Sequence, residues 1–268
     1  MSVIRLSILV LFTLALAGCD HTGTPSVRSI CRTSPQICEN LNPGGWCNNS
    51  RERLIQSRWH YQKSASNKNR YLLLSALNKY QRCIAIIAQI EPTKNKQRKT
   101  GRTEVLLSTI KQIKGLEAQV KYRTDLFSLY YRWSQMGDLK AKQQFIAKQN
   151  TPQMQDPILL WALATLYHQN DPQKSLHLMK QTLANYKKKR PLPVGILEGI
   201  ATQYMRLNRI DQAYTWSLVA EKVTGVKTNK EQFNLYRQFS DEQIEQFKNK
   251  ADHIAKLIHK GQYQPDQK

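Results

Sequence analysis

A tyrosine recurs at a nearly fixed interval in the second half of the chain. Tyr131, Tyr167 and Tyr204 lie thirty-six and thirty-seven residues apart, and each follows a small residue three places back: Ser128, Ala164 and Ala201. Each is followed by a polar turn and a second apolar stretch. Self-similarity at this period indicates stacked helical hairpins, because one hairpin cannot bury its apolar face alone and needs neighbours. Apolar residues elsewhere recur at helical spacing as well. No sustained alternation of period two occurs, so strands are not expected. Leu73, Leu77, Tyr80, Ile84 and Ile87 step by four, three, four and three within a helix predicted over 70–90, which Pro92 stops. A shorter helix over 51–62 carries Leu54, Ile55 and Trp59, and Ser64-Ala65-Ser66-Asn67 is the turn between the two.

The first eighteen residues have a different character. Arg5 supplies a positive charge, Leu6 to Leu16 is an apolar run broken by Ser7 and Thr13, and Ala17-Gly18 is a small-residue pair before Cys19. These are the three zones of an export signal, with an apolar run too short for a permanent span. The alternative is an ordinary secretory signal followed by a chance cysteine. Leu16-Ala17-Gly18-Cys19 resembles the bacterial lipobox. The resemblance implies cleavage before Cys19, lipidation of its sulfur and acylation of the new amino end. Several acyl chains on one residue would hold stably to a bilayer, since one chain alone is marginal. Asp20, by resemblance to enteric lipoproteins, favours the inner membrane over the outer. The expected address is the cell envelope, facing the periplasm.

Four further cysteines, Cys31, Cys38, Cys47 and Cys83, suit two disulfides in an oxidising compartment. Their wide spacing, with no C-x-x-C and no nearby histidine pair, argues against zinc. Three pairings are open. Counting equal steps outward from the 64–67 turn places Cys47 opposite Cys83, which favours Cys47–Cys83 and leaves Cys31–Cys38. The expected organisation is a signal at 1–18, a lipidated tether at 19–30, a cysteine-containing helical hairpin at 31–92, a basic linker at 93–103, a helical repeat domain at 104–260 and a flexible tail at 261–268.

The chain is strongly basic, with 41 Lys+Arg against 19 Asp+Glu. Such a charge speaks to partners rather than to fold. In an envelope the anionic candidates are phospholipid head groups, lipopolysaccharide phosphates and acidic proteins; nucleic acid is not expected. Lys94, Lys96, Arg98, Lys99 and Arg102 in the linker, with Lys111, Lys114 and Lys121 beyond it, form a candidate anion patch. The plainer reading is a solvated face plus a loop. No aromatic residue interleaves the linker, so it lacks the stacking platform of a single-strand binder.

The three hairpins over 122–225 resemble the tetratricopeptide repeat. The third copy matches best, with Leu197, Ile200, Ala201, Tyr204, Ala213, Trp216, Ser217, Ala220 and Gly225. The second offers Leu160, Leu163, Ala164 and Tyr167, then Asp171-Pro172 at the start of its second helix. The first departs from the pattern at Thr124 and Ala141. The resemblance implies an all-α fold of tetratricopeptide-like helical-hairpin repeats with a disulfide-pinned N-terminal cap. It also implies a concave groove lined by the first helix of each hairpin. Those positions are Asp125, Leu129 and Arg132, then Trp161, Thr165 and His168, then Glu198, Thr202 and Met205. Ser240-Asp241-Glu242-Gln243 has the form of a capping box, and Ile244, Phe247, Ala251, Ile254 and Ile258 make one stripe suited to closing a repeat stack. The stretch from Phe239 to Ile254 also resembles the end of Sel1-type repeat proteins.

Nearly end to end, the chain is similar to a family of uncharacterised Gram-negative lipoproteins. The features that carry this are the lipobox, the N-terminal cysteines, a Y-x-W-x-x-x-G-D stretch from Tyr131 to Asp138, an A-x-x-Y helix, and Ala213-Tyr214-Thr215-Trp216. No activity is assigned to that family.

Enzyme motifs are missing: no G-x-S-x-G, Walker A, H-E-x-x-H or G-x-G-x-x-G occurs. The six histidines are scattered; His253 and His259 are poorly spaced for one helical face, and His168 and His177 fall on different helices. Asp241, Glu242 and Glu245 cluster where they favour a helix dipole rather than face another acid across a cleft. The expectation is therefore a non-enzymatic adaptor without a cofactor, anchored to the membrane by its lipid and binding an envelope protein. The alternatives are a binder of anionic lipid or glycan through 93–123, and an unrecognised envelope hydrolase.

Overall fold

The computed structural model describes residues 24–43, 45–91, 97–186, 192–227, 229 and 231–265. The export signal, Cys19, Asp20, Lys94 and Lys96 lie outside the described residues. All regular structure among the described residues is helical. The chain divides into two compact units, Met1–Leu116 and Glu117–Lys268.

The first unit contains α1 (Val27–Thr33), a short 3-10 turn (Pro35–Cys38), α2 (Asn48–Lys63), α3 (Asn67–Ala88) and most of α4 (Gln97–Val120). Ser26 and Ser66 start α1 and α3 by accepting the backbone N–H of Ser29 and Asn69 on their hydroxyls. The predicted α3 stripe is buried: Leu73, Leu77, Tyr80, Ile84 and Ile87 pack with Leu54 of α2 and Ile113 of α4. Ile30, Ile37 and Ile55 form a smaller cluster under the cap. Disulfides join Cys31 to Cys38 and Cys47 to Cys83, with Cα–Cα distances of 5.6 and 5.9 Å. This is the pairing that counting outward from the turn favours.

One expected boundary moves. The linker predicted over 93–103 is helical from Gln97 onward. Lys, Gln and Arg side chains lose little rotamer freedom in a helix, so a basic, polar composition does not by itself break one. Arg102 of this segment donates through Nη1 to the carbonyls of Ile87 and Ile90, and so caps the end of α3.

The second unit begins in the last turn of α4. It continues through α5 (Leu126–Met136), α6 (Leu139–Ala147), α7 (Pro157–Tyr167), α8 (Pro172–Ala184), α9 (Ile196–Arg206), α10 (Ile210–Thr224), the short α11 (Glu231–Asn234) and α12 (Asp241–Lys260). Consecutive helices pack in pairs, α5 with α6, α7 with α8 and α9 with α10; α8 also meets α9, α5 meets α7, and α12 covers α10. Asp125, Asp138, Asp156 and Asp171 cap α5 to α8, each accepting a first-turn N–H on its carboxylate. Ser128, Ala164 and Ala201 are all buried, as are Tyr131 and Tyr204. The Tyr131 hydroxyl donates to Glu117 at 2.8 Å, and that of the half-buried Tyr167 donates to Gln149 at 3.0 Å. Ser240 and Gln243 close the reciprocal capping box of α12, which lays Ala251 and Ala255 into the core.

The tail expected to be loose from Gly261 is ordered as far as it is described. Gly261 takes φ 67, the chain reverses through Gln262 N–H to Leu257 carbonyl, and Tyr263 is buried with its ring centroid 5.8 Å from that of Trp216. An aromatic side chain supplies enough apolar area to anchor a short segment that composition alone marks as polar.

Candidate binding surfaces

The groove residues expected at α5 are taken up by structure. Asp125 accepts the N–H and the hydroxyl of Ser128, at 3.1 and 2.7 Å. Arg132 donates through Nε and Nη2 to Asp138, at 3.0 and 2.5 Å, and through Nη1 to the Arg123 carbonyl at 3.0 Å. This clamp ties the α5–α6 turn to the start of α5. The Asp138 carboxyl titrates below its usual range, first because the Ala141 N–H bonds the carboxylate, then because Arg132 does. Leu129 was expected in the groove and is instead wholly buried, because α6 and α7 both pack on α5.

The groove residues expected at α7 and α9 keep more surface. Thr165, Glu198 and Thr202 are exposed, while Trp161 and Met205 are half-buried and pack on the core. The hydroxyls of Thr165 and Thr202 donate to carbonyls of their own helices, Ala162 and Glu198. Trp161 reaches α9 at Gly199, where a Cβ would lie 3.9 Å from its Cη2 and 3.2 Å from Sδ and Cε of Met179. Only a residue without a side chain fits there without displacing Met179. His168 ends α7 with its Nδ1 2.5 Å from Nε2 of the buried Gln203, and Arg206 holds the carbonyls of His168 and Gln169. His177 points elsewhere, into a polar cavity of about 480 Å³ beside Gln149 and Lys174. Among the described residues no three His, Cys, Asp or Glu side chains gather as a metal site.

Of the predicted anion patch, Lys99 pairs with Glu91 and Arg102 is committed to α3; Lys111, Lys114 and Lys121 are exposed. The side chain of Arg98 lies outside the described residues. No helix among the described residues is long and apolar enough to cross a membrane.

The sequence reading missed an apolar cleft of about 490 Å³ in the second unit, where the ends of α8, α10 and α12 meet the start of α9. Leu183, Ile196, Leu197, Val223 and Ile258 line it. Val194 and Val226 also line it, 97% and 67% exposed. The available signal was two valines standing alone in turns, beside Pro193-Gly195 and after Gly225. A periodicity search discards such residues because they belong to no stripe.

The fold defines a class: an all-helical protein with a disulfide-bonded first unit and a second unit of successive packed helix pairs. A family model described as "Protein of unknown function (DUF2989)" matches residues 16–218, and the chain belongs to that family. No curated protein and no solved structure matches it.

Proposed function

We propose that this protein is a lipid-anchored periplasmic adaptor, tethered through Cys19, that holds an envelope protein on the tetratricopeptide-like hairpins of its second unit. Asp20 favours the inner membrane as its site. The observation that carries the binding role is the cleft flanked by Val194 and Val226. The two exposed valines join the apolar floor of the cleft in one patch, which is well placed to be covered by a partner. The floor is apolar, while Glu198 and His259 stand among the lining residues, so the occupant is an amphipathic segment. No reaction forms part of this reading. The exposure of Lys111 and Lys114 supports a second reading, in which anionic lipid or glycan is held electrostatically.

A photo-crosslinking residue placed at Val194 in living cells should give a discrete protein adduct, while one at the exposed Tyr236 should not. The adduct should disappear in V226E and persist at high salt, because an apolar anchor is not screened. Equal labelling at both positions, or loss of the adduct with modest salt, would remove this cleft as the partner site. Intact-mass measurement finding an unacylated Cys19 would remove the anchor.

A further inference from the structure

The first unit holds a separate cleft, of about 730 Å³, lined by Asn42, Pro43, Gly45 and Trp46 and by the second turn of α4. We infer that it binds a neutral, hydroxyl-rich glycan by stacking a pyranose ring on Trp46. This site is independent of the adaptor reading, which concerns the second unit.

Trp46 is 55% exposed, and Asn42 and Cys47 near it are tied to the helices. Asn42 gives its N–H to the Tyr80 hydroxyl at 2.8 Å and its carbonyl accepts Arg51 Nη1 at 2.7 Å. Its side-chain amide donates to the Trp46 carbonyl at 3.4 Å, and the next residue, Cys47, is joined to Cys83 on α3. Backbone restraint on both sides of Trp46 reduces the entropy lost when its exposed ring is covered.

The chemistry of the facing wall selects the occupant. A Cβ at Gly101 would find no heavy atom within 4 Å, so the floor there is open. Arg102 lines the cleft with its guanidinium already fixed by Nη1 on the Ile87 and Ile90 carbonyls, and Glu104 brings an exposed carboxylate. One fixed donor and one acceptor beside a flat apolar ring match a sugar, which offers C–H bonds on its face and hydroxyls on its edge. The two charges oppose each other, which disfavours a polyanion. A single indole lacks the series of aromatic slots that grips a polyproline helix. The volume falls within the range of about 300–1,000 Å³ common to ligand pockets.

The test is calorimetric titration of the full-length chain in detergent with the β-1,4-linked tetramers of N-acetylglucosamine and of glucose. Decaproline and polyphosphate serve as the competing occupants. Preference between the tetramers separates an amino-sugar strand from a plain glucan. At least one tetramer should bind, with affinity falling about tenfold or more in W46A, staying within about threefold in W46F, and falling several-fold in E104Q. Q246A, at an exposed position of α12, should bind as the parent does, and added salt should change little. W46F keeps a flat ring and so separates lost stacking from lost folding. Absence of binding to either tetramer, equal binding by W46A, or preference for decaproline or polyphosphate would overturn the assignment.

Discussion

The phenolic oxygen of Tyr80, on a side chain without exposed surface, accepts the backbone N–H of Asn42 at 2.8 Å. Burial pushes the Tyr80 hydroxyl above its usual titration range, more than the Asn42 N–H and the nearby Arg51 and Arg58 pull it down. It therefore stays neutral at physiological pH. Arg58, itself lowered by burial, donates to the carbonyls of Ile37 and Glu39 and to Gln112 of α4. An irregular segment with few apolar residues is thus held by side chains from the helices beneath it, which satisfy its backbone groups.

Removing the Tyr80 hydroxyl leaves the Asn42 N–H buried without that acceptor. Y80F should destabilise the protein by about 1–3 kcal/mol, read as a lower denaturant midpoint with an unchanged slope. A midpoint equal to that of the parent chain would show that water replaces the bond.

The two disulfides close chain segments of very different length, with sequence separations of 7 and 36 residues. In the chain-entropy account the longer closure stabilises by about 4 kcal/mol and the shorter by about 2.5 kcal/mol. C47A/C83A should therefore melt at a lower temperature than C31A/C38A. The reverse order would mean that local packing, not loop closure, governs the cap.

Asp138 carries a signed pH dependence. Its carboxyl is depressed below the ordinary value of 3.8, so its contribution is fully present above that value and fades as pH falls through its lower folded value. Between neutral pH and about 5 the group should change nothing. D138N should melt lower than the parent at neutral pH, and the gap should close on acidification below the ordinary carboxylate range.

Leu129 and Thr202 were expected at matching groove positions, but Leu129 is buried and Thr202 is exposed. L129A opens a cavity in a fully buried site and should cost about 2–5 kcal/mol. T202A lies on the surface and should stay within about 0.5 kcal/mol. Equal sensitivity in thermal melts would show that Leu129 is as open as Thr202.

Much of the local architecture was readable before any coordinates. The α3 stripe, the Tyr and small-residue register of α5, α7 and α9, the Pro at the start of α8 and the capping box of α12 each depend on residues within a few turns of one another. The binding surfaces were less readable. Whether Arg132 is free depends on Asp138 lying across a turn, and whether Leu129 is exposed depends on how α6 and α7 cover α5. Tyr263 looked like part of a loose polar tail because its packing partner, Trp216, is distant in sequence.

The amino-acid order alone determined that the chain is helical, where α8 and α12 start, and which cysteine pairing is favoured, because capping, periodicity and turn chemistry act over short separations. Only the tertiary structure decided which side chains are spent on holding it together and which remain available, because burial is set by neighbours that local sequence does not identify. The placement of Val194 and Trp46 beside open clefts is of that second kind.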